Sequence, residues 1–313
     1  MDKKVAIIDL GTNTFHLLFA EWDGQQYNIT YREKIPVKIG MGGINDGVIT
    51  EGGVDRALAA LKHFQENIRS ADITRVVALG TSALRSAKNG GAVAALILQQ
   101  TGMQVNIISG EAEAAYIYYG VRKAIKMGGS LSLIVDIGGG SVEFIIGDEQ
   151  SMFWKRSFEI GAQRLLEQFQ KHDPILPLEV EKLNAYFDLE LAPLLGAIQK
   201  YKPTVLIGSS GTFDTLSEIH CIRNGIALPP DAPETPLTFE RFQEIFAELL
   251  LKNRAERMQI PGMIEMRVDM IVVACCLIKF ILDQRSFEAI RVSSYSLKEG
   301  VVAAIEMDGV VEL

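Results

Sequence analysis

Two aspartates close apolar runs and open glycine turns. Asp9 follows Val5-Ala6-Ile7-Ile8 and leads into Leu10-Gly11-Thr12-Asn13-Thr14. Asp136 follows Leu133-Ile134-Val135 and leads into Ile137-Gly138-Gly139-Gly140-Ser141. In such a turn a buried strand delivers a carboxylate to the edge of a sheet. The glycines let the backbone turn tightly and bring its N–H groups close to phosphate oxygens. The carboxylate repels phosphate and so holds a divalent cation or a water instead. The phosphate contacts therefore fall to Gly11, Thr12, Asn13 and Thr14 in one turn and to Gly138, Gly139, Gly140 and Ser141 in the other. Asp9 and Asp136 are the metal candidates. No Gly-x-x-x-x-Gly-Lys-Ser/Thr loop occurs, and no full Gly-x-Gly-x-x-Gly follows the first strand, which disfavours P-loop and dinucleotide folds.

Other residues could serve the same chemistry. Glu111 and Glu113 open a helix after Ser109-Gly110, where a carboxylate complements the positive helix end and could also polarise a water. Glu143 lies two residues past Ser141, a parity that can put both on one strand face. Arg85 follows the hydroxyl turn Gly80-Thr81-Ser82, and its planar fork suits phosphate. Lys34, Lys88, Arg267 and Lys298 are weaker candidates for a positive track. His16 sits inside a strand and is expected to pack or hydrogen-bond. None of the four histidines lies in a nucleophile arrangement, which argues against a covalent phosphohistidine route.

The elements that must position these residues run in two passes. Strands are expected over residues 5–9, 15–21, 27–31 and 37–39 as a meander, with Asp23-Gly24 as a hairpin turn. A helix follows from about Val54, burying Ala57, Leu58, Leu61, Phe64 and Ile68. A strand over 76–79, a helix over 93–100, a strand over 105–108 and the helix of Glu111 and Glu113 complete the pass. The second pass has strands over 133–136, 142–146 and 153–158, a helix over 162–169 and a strand over 205–207 before Gly208-Ser209-Ser210. Asp9 and Asp136 are separated by almost the same number of positions as Gly80 and Gly208, which suggests duplicated lobes. Residues 227–238 read as a proline-rich surface loop. Residues 239–282 read as mainly helical, 289–292 as a strand and 297–306 as a final helix.

The chain has 313 residues, enough for two lobes, with 48% hydrophobic and 22% charged residues. Its formal net charge of −8 disfavours general nucleic-acid binding but not a polyanionic small molecule met by a local positive cluster. The three cysteines show no metal spacing and read as buried thiols in a reducing compartment. No signal-peptide pattern precedes the first strand, and the apolar stretch 270–282 is too short to span a bilayer. A cytoplasmic protein without a membrane partner is expected.

Paired Asp-Gly turns on duplicated lobes resemble the superfamily of actin, sugar kinases and chaperone ATPases. Within it the sequence is similar to the exopolyphosphatase / guanosine pentaphosphate phosphohydrolase family. The resemblance rests on Ile8-Asp9-Leu10-Gly11-Thr12-Asn13-Thr14-Phe15, Gly80-Thr81-Ser82-Ala83-Leu84-Arg85 with Asn89, Ile107-Ile108-Ser109-Gly110-Glu111-Ala112-Glu113-Ala114, and Val135-Asp136-Ile137-Gly138-Gly139-Gly140-Ser141-Val142-Glu143. Later blocks are Gly208-Ser209-Ser210-Gly211-Thr212, Ile260-Pro261-Gly262 with Arg267, and Val292-Ser293 through Leu297-Lys298-Glu299-Gly300.

The resemblance implies an α/β, duplicated actin-like (ribonuclease H-like) two-lobed fold with an interdomain cleft. Lobe I would be residues 1–123, with a C-terminal helix over 300–313 packing back on it, and lobe II residues 124–299. It implies Mg2+ or another divalent cation at Asp9, Asp136 and Glu143, and Glu113 as catalytic base. Asp136, Glu143 and Arg85 would join the catalytic set, and Ser209, Gly211, Thr212 and Arg267 the phosphate contacts. The implied activity is hydrolysis of terminal phosphoanhydride bonds of inorganic polyphosphate or guanosine pentaphosphate, and a homodimer is one implied assembly. Two readings stand beside it: an ATP-dependent kinase or ATPase of the same superfamily, and a non-catalytic sensor of a phosphorylated alarmone. Departures bear on the choice. Ala112 and Ala115 stand where the family often has glutamate and arginine, Ser294 and Ser296 replace the usual aspartate and glycine, and Lys298 replaces arginine.

Overall fold

A computed structural model describes residues 3–229 and 231–308. The chain divides into two compact units: one runs up to Gly120 and resumes at Leu297, and the other is Val121–Ser296.

The first unit is built on a five-stranded sheet. Strands β1 (Lys4–Leu10), β2 (Phe15–Trp22) and β3 (Tyr27–Ile35) form an antiparallel meander, and β4 (Arg75–Gly80) and β5 (Val105–Ile107) add in parallel, giving the order β3-β2-β1-β4-β5. Helices α1 (Glu51–Ser70), α2 (Ser82–Ser86), α3 (Gly90–Thr101) and α4 (Gly110–Ala124, whose last residues belong to the second unit) connect the strands. The core joins Ile8, Leu10, Phe15 and Leu17 of the sheet to Leu61, Phe64 and Ile68 of α1. Helix α1 starts at Glu51, three residues before the sequence-expected Val54. The Thr50 hydroxyl caps it by accepting from Gly53 N–H at 3.2 Å, which offsets the low helix propensity of Gly52 and Gly53.

The second unit repeats the scheme. Strands β6 (Ser132–Ile137), β7 (Val142–Gly147) and β8 (Met152–Phe158) form the meander. After helices α5 (Ala162–Phe169), α6 (Pro177–Glu190) and α7 (Ala192–Tyr201), β9 (Val205–Ser209) adds in parallel to β6. Helix α8 (Gly211–Asn224), strand β10 (Glu234–Pro236), helices α9 (Phe239–Leu251), α10 (Arg254–Arg257) and α11 (Ile271–Gln284), and strand β11 (Ala289–Ser293) follow. The order β10-β11-β9-β6-β7-β8 is that of the first sheet with β10 added at one edge. The shared order is that of a duplicated actin-like, ribonuclease H-like fold. Almost every residue of α11 from Ile271 to Ile281 is buried, so this apolar stretch is a core helix. No helix among the described residues is long and apolar enough to cross a membrane. All three cysteines are buried free thiols, and burial pushes the Cys276 thiol up to about 12.

Helix α12 (Leu297–Asp308) returns to the first unit, where it packs on β1, and Glu306 Oε1 accepts from Tyr27 N–H at 2.7 Å. The last five residues of the expected 300–313 helix lie outside the described residues.

Three expectations need correction. Residues 37–39 do not extend the first sheet. Pro36 has no N–H to give a ladder, and Lys38 turns into the left-handed region at φ 49°. The 227–238 segment, of which Pro230 lies outside the described residues, is not all loop. Glu234–Pro236 pairs antiparallel with β11, and a proline is tolerated there because β10 is an edge strand. The helices α6 and α7 had no counterpart in the sequence reading. They bury Leu183, Phe187, Leu194 and Ile198 and begin with Pro177 and Pro193 in their first turns, where proline costs no hydrogen bond.

Helix α12 approaches α4 closely at Gly300. A Cβ there would lie 1.6 Å from the Tyr116 carbonyl oxygen. Gly300→Ala is expected to cost about 1–3 kcal/mol, the range of overpacked core sites. Urea unfolding should show a lower midpoint at unchanged slope; an unchanged midpoint would contradict the close approach.

Candidate active site

The second glycine turn is held from one side. Gly138 N–H closes the turn on Ser141 O at 3.0 Å. The carbonyls of the turn all face the start of α5: Ala162 N–H donates to Gly138 O (2.9 Å), Gln163 N–H to Gly139 O (2.9 Å), and Gly161 N–H (3.1 Å) and Arg164 Nε (2.8 Å) to Gly140 O. The N–H groups of Gly139 and Gly140 donate to no acceptor among the described residues. The turn thus spends its carbonyls on its own scaffold and keeps its donors, the polarity an anion requires.

The first turn is braced by a different element with the same result. Lys38 N–H donates to Asn13 O (2.8 Å) and Gly40 N–H to Thr12 O (3.2 Å). The segment expected as a strand over 37–39 is therefore a strut for the turn. Thr12, Asn13 and Thr14 are buried, and the N–H groups of Gly11 and Thr12 donate to no acceptor among the described residues.

The carboxylates occupy matching places. Asp9 and Asp136 are each the next-to-last residue of their strands. Across the meander, Asp9 pairs with His16 and His16 with Lys34, whereas Asp136 pairs with Glu143 and Glu143 with Ser157. The row in the second unit is acidic and buried. Glu143 Oε1 accepts from Ser141 Oγ (2.7 Å) and Ser157 Oγ (2.6 Å), so the parity read from sequence does bring Ser141 and Glu143 together. Asp136 Oδ2 accepts from Ser209 Oγ (3.1 Å) and Ser296 Oγ (2.6 Å). In the first unit the hydroxyl that follows β4, on Thr81, turns to the Leu10 carbonyl instead (3.4 Å).

Ser209 is fully buried and Thr212 nearly so. Helix α8 starts at Gly211 with no side-chain cap, leaving the positive end of a 14-residue helix open. The Arg267 guanidinium lies against Gly211: a Cβ at that position would be 2.0 Å from Arg267 Nη2. Arg267 Nε is shut off from solvent without a hydrogen-bond partner among the described residues. Burial pulls its pKa down, against the opposing pull of Asp214 and Asp136.

The helix after Ser109 separates its two glutamates by environment. Ser109 Oγ accepts from Ala112 N–H at 3.1 Å and caps the helix. Glu111 is exposed, whereas Glu113 is 8% exposed and its Oε2 meets Arg85 Nη1 at 2.8 Å. Arg85 Nη1 also donates to Ile108 O at 3.3 Å. Lys88 N–H pins Gly47 O, and Lys298 Nζ meets Glu299 at 3.2 Å, so neither is placed by these contacts on a glycine turn.

These turns and carboxylates are what a phosphate-handling enzyme requires, and the chain matches the Ppx/GppA phosphatase family over residues 18–308. The chain belongs to that family. It is a phosphoanhydride hydrolase of the exopolyphosphatase / guanosine pentaphosphate phosphohydrolase type. It is similar to a crystal structure of an exopolyphosphatase from Cytophaga hutchinsonii, with 43% identity, 98% of each chain covered and a TM-score of 0.95. It is 25% identical over 301 residues to exopolyphosphatase 1 of Mycobacterium tuberculosis, covering 96% of this chain and 87% of that protein. It is 28% identical over 304 residues to the guanosine-5'-triphosphate,3'-diphosphate pyrophosphatase of Pseudoalteromonas translucida, covering 95% of this chain and 58% of that longer protein.

The family's expected cation can be tested against the donors. No three His, Cys, Asp or Glu side chains cluster as a metal cage among the described residues. Two buried carboxylates, Asp136 and Glu143, face each other across the β6–β7 pair. That set fits Mg2+, which takes one or two protein carboxylates and completes its octahedron with water and substrate phosphate.

Sequence reasoning missed two features of the site. Ser296 appeared only as a departure from the family pattern, yet its hydroxyl reaches Asp136. Ser210 adopts φ 76°, ψ 173°, a region suited only to glycine, immediately before α8. Ser210→Gly is expected to raise stability by about 1 kcal/mol, as strain relief outweighs the added freedom of the unfolded glycine. A thermal midpoint equal to or below that of the natural chain would contradict the strain.

Proposed function

We propose that this enzyme removes terminal phosphate from inorganic polyphosphate or from guanosine pentaphosphate by direct attack of water on the end phosphorus. The observation that carries this reading is the polarity of the Gly138–Gly140 turn, with its carbonyls bound to α5 and two amides left to donate. Gly11, Thr12, Asn13 and Thr14 would grip phosphate in the same way, and Ser141, Ser209, Gly211, Thr212 and Arg267 would extend the contact. An uncapped helix start beside a desolvated guanidinium favours a multiply charged anion over a neutral substrate.

In this reading Glu113 takes the proton of the attacking water. The first turn of α4 and the Arg85 ion pair hold its carboxylate in one place, which a base acting on an in-line water needs. Arg85 and the turn amides would meet the charge that builds on the phosphoryl oxygens. Asp136 and Glu143 would hold the divalent cation, which when bound would supply charge neutralisation, and Asp9, which joins no three-carboxylate cluster among the described residues, would hold a water at the first turn. The likeness to the exopolyphosphatases of Cytophaga hutchinsonii and Mycobacterium tuberculosis supports polyphosphate, and that to the guanosine-5'-triphosphate,3'-diphosphate pyrophosphatase of Pseudoalteromonas translucida supports the guanosine compound. The proposal keeps the protein cytoplasmic, without nucleic-acid or membrane partners, and is compatible with a homodimer.

The test is phosphate release from polyphosphate, guanosine pentaphosphate and ATP by the natural chain and by Glu113→Gln. The natural chain should turn over at least one of the first two faster than ATP. Glu113→Gln should lower kcat by about 10²–10⁴-fold with unchanged circular dichroism. Full activity in Glu113→Gln would remove the base assignment, and a preference for ATP would remove the substrate assignment.

A further inference from the structure

The acidic row of the second unit is held by four serine hydroxyls, two on one oxygen of each carboxylate. Three of them belong to the sheet or its turns: Ser141 precedes β7, Ser157 lies in β8 and Ser209 ends β9. Ser296 does not. It follows β11 and is the last residue of its unit before the chain passes to α12.

The two hydroxyls on Asp136 are unequal. Ser209 Oγ has one proton and two acceptors in reach, Asp136 Oδ2 at 3.1 Å and Tyr295 O at 3.2 Å. Ser293 Oγ also donates to Tyr295 O, at 2.8 Å. Ser296 Oγ reaches Asp136 Oδ2 at 2.6 Å, the length of a strong charge-assisted O–H···O bond. A carboxylate on a broad χ2 torsion keeps one plane only if it is tied, and both hydroxyls tie Asp136 through Oδ2.

We propose that Ser296 is a positioning residue that fixes the plane of the Asp136 carboxylate for cation and water binding. The inference rests on the reading of Asp136 as a metal-organising carboxylate. It gives the connecting segment 294–296 a part in the chemistry that its departure from the family pattern conceals. A partner that orients a ligating carboxylate is commonly worth about tenfold or more in metal affinity or activity.

Ser296→Ala, Ser296→Thr and Asp136→Asn separate the possibilities. Two readouts serve: kcat and KM for polyphosphate as functions of Mg2+, and the thermal shift that Mg2+ alone produces without substrate. Ser296→Ala should lower kcat about tenfold, leave KM within about twofold and shrink the Mg2+-induced shift, and Ser296→Thr should restore both. A Ser296→Ala protein with natural kcat and Mg2+ shift overturns the inference, as does a threonine variant no better than alanine. If Asp136→Asn abolishes activity and shift while Ser296→Ala is silent, the inference alone fails. If Asp136→Asn keeps both, the underlying reading fails with it.

Discussion

The site depends on where the glycine turns send their carbonyl oxygens. A tight turn exposes donors and acceptors together, and an acceptor facing phosphate repels it. In the second unit the first residues of α5 take the carbonyls of Gly138, Gly139 and Gly140. In the first unit Lys38 and Gly40 take those of Asn13 and Thr12. Each turn is thereby left with a surplus of N–H groups, and glycine permits the approach that makes them useful. The carboxylate that precedes each turn then needs a cation or a water as its complement.

Duplication supplied the frame, and divergence assigned the roles. Both sheets share a strand order, and both aspartates hold the same place in it. The residues across from them differ. His16 and Lys34 follow Asp9, whereas Glu143 and Ser157 follow Asp136. The row in the first unit thus mixes a carboxylate with an imidazole and an ammonium, whereas the row in the second joins two carboxylates to a hydroxyl. The hydroxyls differ too: Thr81 reaches a backbone carbonyl, whereas Ser209 reaches both Asp136 and the Tyr295 carbonyl.

Much of this was legible in sequence. A buried strand ending in Asp and glycine is a local pattern, so both turns and their spacing could be read directly. What failed was set by contacts remote in sequence. Residues 37–39 alternate like a strand, but the amides of Lys38 and Gly40 are claimed by the turn at Asn13 and Thr12. Helix α6 does not gather its apolar residues on one face, so its periodicity carried little signal. The choice of Glu113 over Glu111 came from family resemblance, since spacing treats the two alike and only burial beside Arg85 separates them. Ser296 was unreadable because its acceptor, Asp136, lies on a strand 160 positions earlier in the chain.

The most direct measurement is amide NMR of the Glu113→Gln protein, labelled at glycine, titrated with tripolyphosphate and Mg2+. The account predicts that the N–H signals of Gly139, Gly140 and Gly11 move downfield and gain protection from exchange as the site saturates. Saturable binding that leaves those three signals unmoved would contradict it.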